Sequence, residues 1–219
     1  MEPFKVHSEI ASITSNYPDA KSLIQAAKDG GNPSKIAIAS LWLSEGIPYA
    51  FKNNPALYEA VRSWLCTRLS VNAKDIHLTG SARLGQSMAP TKLGRAFGKH
   101  SDLDIFIVSS SLFEQLSQEF NDWSYRFEMG IEVPSPAEQK FWPENLERGP
   151  KNLRRGFIDP SIIPNRVSFP ITKNISQSMY LLKLKLDQTA NSPSITEASV
   201  RCYKNWESYI QQSLLNFQN

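Results

Sequence analysis

The sequence predicts an α+β fold, because two short β-forming runs interrupt a chain that otherwise shows helical periodicity. The runs extend from Ile76 to Thr79 and from Leu103 to Val108, and each is bounded by polar or turn-forming residues. The chain has 219 residues, of which 41% are hydrophobic and 21% are charged, values ordinary for a globular protein. We therefore expect a folded domain with a substantial core.

Three helices are predicted before the first β-forming run. Asp19 is a capping residue for a helix that extends through Ala27, and Asn32-Pro33 opens a second helix. Asn54-Pro55 begins the third. Its apolar face consists of Leu57, Tyr58, Val61, Leu65 and Leu69.

The region after the second run is predicted to contain one amphipathic helix, two short strands and two further helices. The amphipathic helix carries Leu112, Phe113, Leu116, Phe120, Trp123 and Phe127. Short strands are predicted at 131–133 and 157–159 in a proline-rich stretch. The last two helices have apolar faces formed by Ile175, Met179, Leu182 and Leu186, and by Val200, Tyr203, Ile210, Leu214 and Phe217. We expect a core at 1–170 and a C-terminal helical lobe at 171–219, together one compact unit.

Cysteine usage and the lack of a long apolar stretch indicate an intracellular setting. The formal net charge of +3 is mild compared with that of dedicated nucleic-acid binders. Cys66 and Cys202 have no neighbouring cysteine or histidine at zinc spacing, which favours buried thiols in a reducing compartment. No apolar stretch approaches the length of a membrane span. We expect a cytoplasmic protein that does not insert into a membrane.

The residues that suggest chemistry lie in and beside the two β-forming runs. Asp102 and Asp104 are separated by one residue, so a strand would project both carboxylates from one face. Carboxylate oxygens suit Mg²⁺, which transfer from a nucleoside triphosphate requires. Gly80-Ser81 ends the first run, where glycine permits a close backbone approach and the serine hydroxyl can hold phosphate. Together they predict a metal-dependent phosphate site.

Several basic residues near these runs are candidates to neutralise a triphosphate. Arg83 lies two residues after Ser81, and Lys92, Arg95 and Lys99 precede the aspartates. The same cluster is also typical of a solvated loop.

The combination LTGSARLG and SDLDIFIV resembles the nucleotidyltransferase superfamily to which DNA polymerase β belongs. The resemblance covers about residues 76 to 108 and implies a small mixed β-sheet palm flanked by helices. It also implies that Gly80 and Ser81 bind phosphate and that Asp102 and Asp104 bind Mg²⁺ or Mn²⁺. The substrate would be a nucleoside or deoxynucleoside triphosphate.

The resemblance implies a third carboxylate on a later strand, for which the sequence has no clean match. Asp159 in GFIDP is the first candidate catalytic and metal-binding residue, although Pro160 is awkward in a central strand. Glu132 is the alternative, and a site with two carboxylates remains open. Lys183 on a late helix is a candidate triphosphate contact, as in related enzymes with a helical lobe, or a surface lysine.

Three functions follow as hypotheses. The segments LWLSEGIPYAF and LRRGFIDPSIIP resemble minimal nucleotidyltransferases of bacterial antiphage operons, including Hailong systems. That resemblance implies an enzyme that makes a short oligonucleotide signal for antiviral defence. The product would be a DNA oligomer whose synthesis starts from a protein hydroxyl within a homodimer, and an effector protein would be encoded nearby.

The second hypothesis is a toxin-like transferase that adds a nucleotide to tRNA or protein. The third is an inactive binding module or antitoxin.

Overall fold

A computed structural model describes residues 3–4, 6–215 and 217, and it confirms the predicted α+β class over those residues. The strands are β1 (Ile76–Leu78), β2 (Leu103–Val108), β3 (Phe157–Ile158) and β4 (Ala198–Tyr203). The α-helices are α1 (Ser8–Ala11), α2 (Ala20–Asp29), α3 (Gly31–Leu41), α4 (Pro55–Leu69), α5 (Gly80–Leu84), α6 (Ser110–Glu128), α7 (Trp142–Arg154), α8 (Pro170–Asp187) and α9 (Trp206–Leu215). No helix within the described part of the chain is long and apolar enough to cross a membrane.

The four strands form one small mixed sheet in the order β1-β2-β4-β3. β2 pairs antiparallel with β1 and parallel with β4, and β3 pairs antiparallel with β4. In the central parallel pair, Asp104 lies opposite Ser199. The aspartate strand therefore lies inside the sheet, with a neighbour on each side.

The two faces of the sheet are covered unequally. Ile105, Ile107 and Cys202 point into the main core, which α4, α6 and α8 cover. On the other face, α9 covers Phe106, whose ring stacks on Tyr209 with centroids 4.3 Å apart. Asp102 and Asp104 belong to this second face, where Asp102 is exposed and Asp104 is half-buried. The partial cover leaves the aspartates open to solvent.

The N-terminal helices form as the capping residues predict. The backbone N–H of Ser22 donates to the side chain of Asp19 at 3.0 Å, which caps α2. The N–H of Leu57 donates to the side chain of Asn54 at 3.2 Å, and Pro55 begins α4.

Two predictions after residue 130 are wrong. The stretch 131–133 is not a strand, because the N–H groups of Ile131 and Glu132 both donate to the carbonyl of Arg126 and close the end of α6. Val200 and Tyr203 belong to β4 and not to the last helix, which begins at Trp206. Their apolar spacing fits a helix, but this stretch pairs with β2 along its whole length. The segment 171–219 thus contributes a central strand as well as helices.

Candidate active site

The two aspartates lie at the start of β2, where the sheet is uncovered. Leu103 between them is fully buried and orients this end of the strand. The hydroxyl of Ser199 on β4 donates to Asp104 Oδ1 at 2.8 Å. The carboxylate of Asp104 is therefore oriented by a neighbouring strand, while that of Asp102 faces solvent.

Gly80 brings the backbone after β1 close to the carboxylate of Asp104. Its φ of +63° lies in the left-handed region that favours glycine. A Cβ at this position would lie 3.4 Å from Asp104 Oδ2. The N–H of Thr79 donates to the Asp104 carbonyl at 2.9 Å, which holds the two segments together. The Gly-Ser turn and the aspartates predicted from separate motifs are therefore adjacent in space.

A cavity of about 400 Å³ joins these residues into one site. Its walls include Gly80, Ser81, Asp102 and Asp104, together with Lys92 and Arg95. The cavity thus combines carboxylate oxygens, a serine hydroxyl and two exposed cationic side chains. This is the donor set that a triphosphate with a divalent cation requires.

A folded loop positions the two basic residues over the cavity. The N–H of Ser87 donates to the Arg95 carbonyl at 2.9 Å, and the N–H of Phe97 donates to the Gly85 carbonyl at 2.8 Å. These bonds fold the loop into a hairpin with Lys92 and Arg95 facing the cavity. Lys99 lies outside the cavity wall.

The structure places Arg83 and Lys183 away from the cavity walls. Arg83 is 4% exposed and donates to the carbonyls of Glu45 and Ile47, on the side of α5 facing the N-terminal helices. Burial lowers the pKa of Arg83. Lys183 is bound to Asp187 at 2.5 Å and lines a different cavity. Neither side chain lines the cavity that contains Gly80, Ser81 and the aspartates.

Asp159 forms an ion pair instead of joining the aspartates. Pro160 ends β3, and both oxygens of the Asp159 carboxylate accept from Arg201, with Nε–Oδ1 and Nη2–Oδ2 distances of 2.6 and 2.9 Å. Burial alone would lower the pKa of Arg201, but hydrogen bonds and charge from Asp159 raise it overall. Asp159 does not line the cavity with Asp102 and Asp104.

The alternative third carboxylate, Glu132, also pairs with arginines away from the aspartates. It is 8% exposed and accepts from Arg166 and from Arg126, the latter at 3.4 Å. Arg166 also donates to Glu138 at 2.7 Å. Glu132 therefore belongs to an ion-pair cluster beside the end of α6.

The strand register brings the backbone of a different acid, Glu197, next to that of Asp102. Leu103 lies opposite Ala198, and the N–H of Leu103 donates to the Glu197 carbonyl at 2.9 Å. The side chain of Glu197 lines a neighbouring groove and not the cavity of the aspartates. Glu197 is exposed. Sequence reasoning missed it because β4 was assigned to a helix. The turn-forming pair Ser192-Pro193, followed by the β-forming run from Val200 to Tyr203, was the available signal.

The site contains two carboxylates at the start of β2. Within the part of the chain that the structure describes, no group of three or more acid, histidine or cysteine side chains is close enough to hold a metal ion. Asp102 and Asp104 nevertheless fit Mg²⁺ chemistry, because both are oxygen donors on one strand face and neither is bound to an arginine or lysine within the described residues.

Comparison with known proteins does not identify a family. No family model, curated protein or solved structure matches this chain.

Proposed function

We propose that the protein is a metal-dependent nucleotidyltransferase that uses a nucleoside or deoxynucleoside triphosphate. The observation that carries this proposal is that Gly80 and the Asp104 carboxylate line one cavity, so close together that a Cβ added at Gly80 would lie 3.4 Å from Asp104 Oδ2. The resemblance of LTGSARLG and SDLDIFIV to the polymerase β superfamily concerns the same residues. The meeting of these two motifs in one cavity supports the proposal.

Each part of the site has a role in this reaction. Gly80 and Ser81 hold the terminal phosphates, and Lys92 and Arg95 offset their negative charge. Asp102 and Asp104 would hold Mg²⁺ or Mn²⁺, which supplies stabilisation of charge on the phosphate oxygens. An acceptor hydroxyl attacks the α-phosphorus, the bond to the bridging oxygen of the β-phosphate breaks, and pyrophosphate leaves. The hydroxyl proton passes to solvent.

The central experiment is a product assay. The protein is incubated with Mg²⁺ and each labelled ribo- or deoxyribonucleoside triphosphate, first alone and then with tRNA or protein acceptors. Laddered or cyclic products formed without an added acceptor identify an oligonucleotide synthase. Products that appear only with tRNA or protein identify a transferase of single nucleotides. Absence of any product under all these conditions would refute the proposal.

Neutralising the two cationic residues of the cavity is expected to weaken triphosphate binding. The variant Lys92→Gln with Arg95→Gln should raise KM for the nucleotide about tenfold, since each exposed charge contributes about 1 kcal/mol or less. Steady-state kinetics measure the change. Lys99→Gln is the matched control, because Lys99 belongs to the same loop but does not line the cavity. If both variants raise KM equally, the effect comes from the net charge of the protein and not from contacts of Lys92 and Arg95 with the nucleotide.

We propose that Glu197 turns toward the aspartates and supplies a third carboxylate when a cation binds, because its backbone lies beside that of Asp102; without a cation, its side chain lines the neighbouring groove. Glu197→Gln should lower kcat by about 10²-fold and raise the Mg²⁺ concentration needed for half-maximal rate. Glu207→Gln, which changes another exposed glutamate on α9, is the control. Unchanged kcat and Mg²⁺ dependence in Glu197→Gln would leave a site with two carboxylates.

A further inference from the structure

A groove of about 670 Å³ runs along the outer edge of β4, on the side away from β2. Its walls come from α7, the turn at 160–165 and α8. Trp142, Ile162 and Met179 form part of its apolar surface. At one end the groove includes Ser199, whose hydroxyl donates to Asp104. It therefore begins beside the candidate active site but is a separate surface.

The edge of β4 in this groove carries unpaired backbone groups. In the parallel pair, the N–H of Leu103 donates to the carbonyl of Glu197, so the backbone N–H and C=O groups of every second residue of β4 point toward β2. The backbone groups of Ala198 and Val200 point the other way, into the groove. β3 pairs only with Cys202 and Tyr203, because the chain turns away at Pro160. Among the described residues, no hydrogen-bond partner is found for the backbone of Ala198 or Val200. The groove thus contains an open strand edge.

A buried side chain of the groove also lacks a partner. Thr172 on α8 is 2% exposed, and its hydroxyl has no hydrogen-bond partner within the described residues. It lines the same cavity. An unmet hydroxyl at this depth costs free energy, so the position favours a ligand with donor or acceptor groups.

The charges of the groove discriminate between possible occupants. Among the described residues of its walls, Lys183 is the only cationic side chain, and it forms an ion pair with Asp187. Glu138 and Glu197 also line the groove. A nucleic-acid backbone would find no free positive charge there, whereas a peptide strand carries no charge on its backbone.

We propose that the groove binds an extended peptide segment of a partner protein, which adds to the sheet as a strand along Ala198 and Val200. The alternating N–H and C=O groups of this edge match those of an added strand. The apolar walls then receive alternate side chains of the peptide. This surface does not depend on the nucleotidyltransferase reaction, and a protein inactive in that reaction would retain it.

The test uses a phage-displayed library of random linear dodecapeptides, selected on the full chain and synthesised for binding measurements. Val200→Pro removes the outward N–H at an edge position that accepts proline, and should weaken the selected peptides about tenfold or more. Val200→Thr keeps the N–H and the branched shape, so its affinity should stay within about twofold of the native chain. Hydrogen exchange at the amides of Ala198 and Val200 should slow when peptide is bound.

Circular dichroism and the melting temperature establish that both variants fold. Thr172→Val provides a second variant, expected to fold at least as stably as the native chain and to bind the peptides more weakly. The proposal is overturned if no peptide is enriched, or if enriched peptides bind folded Val200→Pro as well as the native chain. Protection of the two amides by a single-stranded oligonucleotide, without protection by peptide, would also overturn it.

Discussion

The variant Asp102→Asn with Asp104→Asn is expected to lose nucleotidyl transfer by at least about a thousandfold, a loss of about 4 kcal/mol in transition-state stabilisation. Asparagine keeps the shape of aspartate but removes the negative charge that attracts a divalent cation. Steady-state rates with saturating Mg²⁺ and nucleotide measure the loss.

The same variant should fold normally, since Asp102 is exposed and the Asp104 carboxylate accepts one hydrogen bond from Ser199 that an amide oxygen can accept as well. Asp122→Asn, which changes an exposed aspartate of α6, controls for net charge. Retained turnover in the folded double variant would contradict the assignment of the site.

Asp159→Asn is expected to reduce stability and to leave turnover nearly unchanged. The exposed fractions of the two side chains are 15% for Asp159 and 37% for Arg201, so the substitution leaves a partly buried guanidinium without its counter-charge. After allowance for solvent screening at Arg201, the expected cost is about 2 kcal/mol. For a chain of this size that corresponds to a melting temperature lower by about 4 to 8 °C.

The experiment on Asp159 decides between an ion pair and a metal ligand. Thermal unfolding and kcat are measured on the same preparation, and Arg201→Gln with Asp159→Asn restores a neutral pair. The double variant should recover part of the lost stability, because no unpaired charge remains. A loss of turnover like that of the Asp102 and Asp104 variant, with stability unchanged, would show that Asp159 belongs to the metal site.

The parts of the structure that local sequence determines were predicted well. The caps Asp19 and Asn54 begin helices because their side chains satisfy free N–H groups of the first turn. β1 and β2 were predicted from short β-forming runs between turn signals. The proximity of Gly80 to Asp104 depends on pairing between strands, yet it follows from the motif once β1 and β2 are neighbours.

The parts that depend on long-range pairing were not predicted. Val200 and Tyr203 have a spacing that suits a helix as well as a strand, and only the pairing of β4 with β2 decides between them. That error concealed Glu197. Arg83 was assigned to phosphate from its position after Ser81, but α5 turns its side chain toward the carbonyls of Glu45 and Ile47. The direction of a side chain on a short helix cannot be predicted from sequence unless the residues that pack against the helix are known.

The fate of the individual phosphates of the nucleotide tests the central claim most directly. The native chain is supplied with Mg²⁺ and nucleoside triphosphates labelled on the α- or the γ-phosphate. Nucleotidyl transfer predicts that the α label enters the product and that the γ label leaves as pyrophosphate. Transfer of the γ label to an acceptor, or its release as orthophosphate, would contradict the account and indicate a kinase or a phosphatase.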